Sequence, residues 1–210
     1  MSKIQEIFAA VEAGKSKDVA ALVQAALDEK IAPLSILNDG MIAAMGVVGD
    51  KFQKEEIFIP EMLVAARAMQ KGVAVLKPFL ADDASASIGK AIIGTVSGDL
   101  HDIGKNLVCM MLESAGFEVT DLGVDAPKEK FTEAVEADDK IILVACSALL
   151  TTTMPAMKDT VAALNASPAR KNFKIIVGGA PITEDFCKEI GADAYAPDAG
   201  SAAKVAKTLV

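Results

Sequence analysis

The sequence predicts an α/β protein built in two parts, a four-helix bundle followed by a parallel sheet covered by helices on both faces. Two observations carry this. Over residues 1–80 apolar side chains recur at helical spacing, whereas from residue 90 short β-branched runs alternate with helical stretches. Between them lies ADDASASIG, residues 81–89, which is small, polar and acidic and reads as a linker. The expected domains are therefore residues 1–85 and 88–210.

In the first part, Ser2 caps a helix with Ile4, Ile7, Phe8 and Val11 on one face, stopped at Gly14. Ser16 caps a second, with Val19, Leu22, Val23, Ala26 and Leu27 in phase. Pro33 suits the first turn of a longer third helix carrying Leu34, Leu37, Met41, Met45, Val48 and Phe52. Pro60 opens a fourth that runs to about Lys77, with Leu63, Ala66, Val73 and Leu76 inward. Short connections between amphipathic helices make a bundle.

In the second part, strands are expected at 90–96, 118–122, 141–146, 174–177 and 194–196. Helices are expected near 104–115, 128–136, 155–165, 182–190 and 200–209. Continuous apolar strands such as IILVAC fit burial on both faces. Five such units favour the flavodoxin-like order 2-1-3-4-5, whose switch point lies between the first and third strands. Ligands bind there, beyond the carboxyl ends. Two loops are thereby singled out, Ser97–Ile103 and Ser147–Met154.

Composition removes several functions. The 210 residues are 52% hydrophobic, enough for a core without disulfides or structural zinc. The net charge is −8, and each half of the chain is acidic, so the cationic footprint of a nucleic-acid binder is missing. No run of about 18 apolar residues suggests a membrane span. The N-terminus lacks the apolar core of a signal peptide. Cys109, Cys146 and Cys187 are far apart, which fits a reducing cytoplasm.

The first loop, SGDLHDIG, holds the chain's one histidine, His101, flanked by Asp99 and Asp102, with Gly104 opening a helix. Asp99 and His101 are two apart, so in extended backbone they point the same way. The carboxylate then holds one ring nitrogen and leaves the other for a ligand or metal. A D-x-H sequence alone is more often a surface histidine in an acidic loop; its place at the switch point tells against that. The second loop, SALLTTTM, supplies the hydroxyls of Ser147, Thr151, Thr152 and Thr153, some of which helix capping would explain. Gly178 and Gly179, after the fourth strand, suit either a close-lying ligand or a tight turn. One histidine with distant cysteines cannot build a zinc site. No nucleophile elbow, dinucleotide fingerprint or P-loop is present. One imidazole is enough, however, where a macrocycle supplies the other metal ligands.

Asp99-x-His101-x-x-Gly104, then Ser147-x-Leu149, then Gly178-Gly179, resembles the cobalamin-binding motif of the base-off, histidine-on type. GTVSGDLHDIGKNLV and FEVTDLGVDAP are similar to the corrinoid domain of methionine synthase and of the corrinoid methyl-carrier proteins of anaerobes. VGDKFQKEEIFIPEML is similar to the helical cap that precedes that domain. The likeness covers nearly the whole chain, whose length resembles the stand-alone carrier. It implies that His101 replaces the cofactor's own base as lower cobalt ligand and that Asp99 tunes it. Thr153 stands where the family has a serine. Asp102, Gly104, Ser147, Leu149, Thr151, Gly178 and Gly179 would accompany the cofactor and its displaced nucleotide tail. Phe52 and Ile59 match apolar positions over the corrin's upper face, although plain bundle core explains them equally well.

The resemblance further implies cobalamin or a related corrinoid, cycling through its methylcobalamin form. Its partners would be a substrate-specific methyltransferase, a second methyltransferase passing methyl to a folate-type acceptor, and a reductive activase. The small subunit of an adenosylcobalamin mutase shares the D-x-H-x-x-G loop but resembles only residues 88–210. A cobalamin-based sensor would share the whole layout and normally add a basic DNA-binding segment.

Overall fold

The computed structural model describes residues 2–80 and 87–210, so positions 81–86 of the expected linker lie outside the described residues. The chain divides into two compact units, the residues up to Ser87 together with Ser114–Gly116, and Ile88–Glu113 together with Phe117–Val210.

The first unit is helical. Helix α1, Lys3–Glu12, opens on a capping box: Ser2 Oγ accepts from the Gln5 N–H, and Gln5 Oε1 accepts from the Ser2 N–H. Gly14 then turns the chain with φ +67, and a Cβ there would lie 2.3 Å from Val64 Cγ1. Helix α2, Ser16–Asp28, corrects one expectation, because Ser16 is already its first residue and no side chain caps it. The α1–α2 turn is too tight to leave Ser16 outside: Lys15 N–H reaches the Ala10 carbonyl at 2.9 Å.

Helix α3 comprises Pro33–Ser35, a π-helical stretch Ile36–Ile42, and Ala43–Gln53. Its buried residues come in pairs four apart: Ile36 and Leu37, Gly40 and Met41, Ala44 and Met45, Val48 and Gly49. A four-residue step overshoots an α-turn by about 40°. The wider π-turns take up that drift and keep the stripe on one face. Helix α4, Ile59–Leu80, buries Met62, Ala65, Ala66, Met69 and Leu76, while Leu63 and Val73 are only half-buried. Ala66 and Leu76 are therefore inward as expected, while Met62 and Gly72 take the buried places expected of Leu63 and Val73. Small residues on that face bring the helices close, and a Cβ on Gly72 would meet Met41 and Val19.

The second unit holds a five-stranded parallel sheet in the order β2-β1-β3-β4-β5. The strands are β1 Gly89–Thr95, β2 Phe117–Asp121, β3 Ile141–Ser147, β4 Lys174–Gly178 and β5 Ala194–Tyr195. Gly89, expected in the linker, pairs with Phe117, so the sheet begins earlier than the composition suggests. Interleaved are α5 Ile103–Ser114, α6 Lys128–Ala137, α7 Met154–Ala166, α8 Glu184–Ile190 and α9 Ala199–Leu209. Phe131, Val144, Met157, Phe173 and Val177 lie among the fully buried core on one side of the sheet.

Lys105, in the first turn of α5, is almost wholly buried. Its ammonium pairs with Asp121 at the end of β2 and donates to Asn106 Oδ1 at 2.7 Å. A cation without partners would be costly there. The pair therefore fixes where α5 begins relative to the sheet. Among the described residues, no helix is long and apolar enough to cross a membrane.

Candidate functional site

Strand β1 has β2 on one side and β3 on the other, so the chain leaves β1 and β3 in opposite directions and opens a crevice between their ends. The loop after β1 brings Asp99 and His101 to it, and the loop after β3 brings Leu149 and Thr153.

Asp99 is fully buried and accepts four hydrogen bonds. Its Oδ1 takes the His101 N–H at 3.1 Å and bonds the His101 ring Nδ1 at 2.7 Å. Its Oδ2 takes the Leu149 N–H at 2.7 Å and the Thr153 hydroxyl at 2.8 Å. Burial alone would raise the carboxyl pKa. The hydrogen bonds from Leu149, from the His101 backbone and ring, and from Thr153 outweigh it and hold the group well below the usual carboxylate range. Asp99 is thus an anion that can only accept, which assigns the neutral imidazole its tautomer: the proton sits on Nδ1 and the Nε2 lone pair is available. Nε2 has no hydrogen-bond partner among the described residues, and the ring is about half exposed.

Thr153 Oγ also lies 2.9 Å from the Leu150 carbonyl. The hydroxyl has one proton for two acceptors. Thr153→Val keeps the shape but withdraws one of Asp99's four donors, at a cost of about 1–2 kcal/mol in urea unfolding. Thr153→Ser is expected to recover most of that.

Several supports carry no sequence motif. The hydroxyl of buried Thr95 donates to the His101 carbonyl at 2.8 Å. Asp125 bonds the loop from the opposite side, its carboxylate accepting from the Gly98 N–H at 2.7 Å. The Leu149 donor is a backbone group, so the position's contribution is not legible from its side chain.

The other expected residues are placed differently. Asp102 is exposed and pairs with Asn106 Nδ2 at 3.2 Å, away from the Asp99 carboxylate. Nothing lies within 4 Å of a Cβ built on Gly104. Ser147 is half-buried at the end of β3, and Thr151 is exposed in a 3₁₀ turn, Thr151–Thr153. A Cβ on Gly179, whose φ is +127, would lie 1.8 Å from the Ala148 carbonyl oxygen, and one on Gly178 would lie 2.8 Å from that of Ala196. The chain's own backbone therefore requires both glycines. In the helical unit, Phe52 is half-buried and Ile59 is 42% exposed, so Ile59 is not bundle core.

Among the described residues no cluster of three or more His, Cys, Asp or Glu side chains could hold a metal ion. The thiols are poor donors: burial pushes Cys146 up to about 12, and burial with the nearby Asp121 charge pushes Cys109 to about 11. One oriented imidazole remains, on loops that also expose Leu100, Ile103, Leu149 and Leu150. A metal that brings its own ring of ligands on a broad, largely apolar face fits this donor set, and a bare ion does not.

A family model described as a B12 binding domain matches residues 89–205, and a second of the same description matches residues 3–77. The chain belongs to the B12-binding family. Dimethylamine corrinoid protein 1 of Methanosarcina acetivorans is 41% identical, over 99% of this chain and 97% of that one. Among solved structures, a cobalamin-binding protein from Desulfitobacterium hafniense aligns with a TM-score of 0.83 at 30% identity, covering 99% of this chain and 98% of that one. A methanol:cobalamin methyltransferase complex from Methanosarcina barkeri contains a chain that aligns at 0.82 with 31% identity, covering 98% and 78%. This B12-binding protein therefore shares both its fold and nearly its full length with corrinoid proteins.

Proposed function

We propose that this protein is a methyl carrier, taking a methyl group from a donor-specific methyltransferase and presenting it to a second methyltransferase. The donor class favoured by the 41% identical relative is a methylated amine. The acceptor is of the folate type, a reductive activase restores the working state, and the site of action is the cytoplasm. When bound, the corrinoid supplies a cobalt that can accept and release a methyl group.

The observation that carries this reading is the Asp99–His101 pair, with Nδ1 held at 2.7 Å and Nε2 open. With a corrinoid bound, Nε2 of His101 would be the protein's ligand to its cobalt. Asp99 fixes the tautomer and the ring's direction. Thr153 and the Leu149 N–H keep its carboxylate charged. Ser147, Leu149, Thr151, Gly178 and Gly179 are assigned to the cofactor's nucleotide tail, and Asp102 and Gly104 to the entrance of α5 beside it. Phe52 and Ile59 are assigned apolar cover for the corrin's other face, where excluding water protects a reactive metal.

Reconstitution tests the reading. Protein mixed with hydroxocobalamin under reducing conditions and gel-filtered should be coloured. In the one-electron-reduced state, ¹⁵N-labelled protein should show two-line axial nitrogen splitting by electron paramagnetic resonance, where the cofactor's own unlabelled base would give three lines. Full reduction followed by methyl iodide should give the methylated spectrum. Colourless protein ends the reading, and a coloured protein that refuses methylation favours a sensor or a mutase subunit instead.

A further inference from the structure

Three features outside the Asp99–His101–Thr153 group converge on one residue. Asp125, between β2 and α6, has φ +49, a left-handed conformation that costs a non-glycine residue energy and persists only where surroundings impose it. In that conformation both its backbone and its carboxylate face the loop after β1. Its N–H donates to the Asp99 carbonyl at 2.9 Å, and its Oδ1 accepts from the Gly98 N–H at 2.7 Å and the Ser97 hydroxyl at 3.4 Å. Gly98 is itself left-handed, with φ +80, so the loop changes direction where Asp125 grips it.

We propose that Asp125 is a positioning residue for His101: its carboxylate holds residues 97–99 so that Asp99 meets both the imidazole and the Leu149 N–H. The loop is then fixed from three sides. Thr95 holds the His101 carbonyl, the chain after β3 holds the Asp99 carboxylate, and Asp125 holds the backbone in front of it. Of these, only the Asp125 clamp spans Ser97, Gly98 and Asp99 together. Its partners are solvent-exposed at the carboxylate, so the clamp adds order to the loop and contributes little to the core. The assignment toward the cofactor rests on the reading of His101 as axial ligand; the positioning of the imidazole does not.

Two variants separate the carboxylate from the backbone. Asp125→Gly relieves the left-handed conformation and removes the acceptor, while Asp125→Asn tolerates the conformation and keeps an acceptor oxygen. His101 is the chain's one histidine, so its ring ¹⁵N resonances in cofactor-free protein need no assignment. In the parent protein they should report the Nδ1–H tautomer. Asp125→Gly should shift them towards the mixed tautomers of a free imidazole. It should also speed hydrogen exchange at the Asp99 and Leu149 amides by about fivefold to tenfold, as expected for loss of one solvent-exposed hydrogen bond of ordinary strength. Asp125→Asn should stay within about twofold of the parent. On hydroxocobalamin, Asp125→Gly should lower the histidine-coordinated fraction and Asp125→Asn should restore it. Unchanged imidazole resonances and amide exchange in Asp125→Gly overturn the proposal. Parent protein that holds the Nδ1–H tautomer yet never shows axial nitrogen overturns the ligand reading and leaves the clamp standing.

Discussion

His101→Ala is expected to abolish coordination of cobalt by a protein nitrogen while leaving the fold nearly as stable as before. The ring is about half exposed and touches the rest of the site through one hydrogen bond to Asp99, so its removal costs about 1 kcal/mol in urea unfolding. Asp99 keeps the backbone donors of His101 and Leu149 and the Thr153 hydroxyl. Coordination has no such reserve. No second imidazole exists in the chain, and the cysteine thiols are held protonated by burial. In ¹⁵N-labelled variant protein loaded with unlabelled cobalamin and reduced by one electron, electron paramagnetic resonance should therefore lose the two-line ¹⁵N splitting, leaving water, nothing or the three-line splitting of the cofactor's own base. Two-line ¹⁵N splitting that survives in ¹⁵N-labelled His101→Ala, or that is missing from the ¹⁵N-labelled parent, would remove His101 from the metal.

Asp99→Asn should do the reverse, with a large loss of stability and a wrongly oriented ring. The side-chain amide presents two donors where the buried pocket already supplies four. Whichever way it is turned, an NH₂ group faces either the imidazole Nδ1 with the His101 N–H, or the Leu149 N–H with the Thr153 hydroxyl. Loss of charge-assisted bonds and the unpaired donors together cost about 3 kcal/mol, or about 10 °C in melting temperature. The pH dependence follows from the lowered carboxyl pKa. A group lowered by folding stabilises the native state fully above its unfolded value of about 4, and that contribution fades as pH falls below it, because the unfolded chain binds the proton first. The parent protein should lose stability more steeply below about pH 4 than Asp99→Asn does. Parallel acid limbs for the two proteins would refute this account of Asp99.

The sheet and its crevice are legible in the chain because both rest on local signals. The β-branched runs fall on β1, β3 and β4, and counting five units gives the order that the structure has. Asp99 and His101 are legible for the same reason, since two positions in one extended loop must face alike. What the chain does not announce is what comes from elsewhere in the sequence to meet them. Thr95 pairs with a carbonyl, Leu149 contributes only an amide hydrogen, and Asp125 acts through an uncommon backbone conformation 27 residues beyond Gly98. None of these has a periodicity or a composition to betray it. In the helical unit, Ser16 reads as a cap because it stands just ahead of the apolar stripe that begins at Val19, yet the turn has no room for one. The π-helical stretch of α3, by contrast, did leave a trace: Leu37, Met41 and Met45 recur every four residues, a spacing that a regular α-helix cannot keep on one face.

Because Asp99 is sealed from solvent with every lone pair engaged, dissolved ions have no path to it. Ionic strength weakens pairs at the surface, such as Lys158–Glu189, by crowding them with counter-ions. The carboxylate under His101 meets no counter-ions, so the grip on the ring should be the same in dilute buffer and in brine.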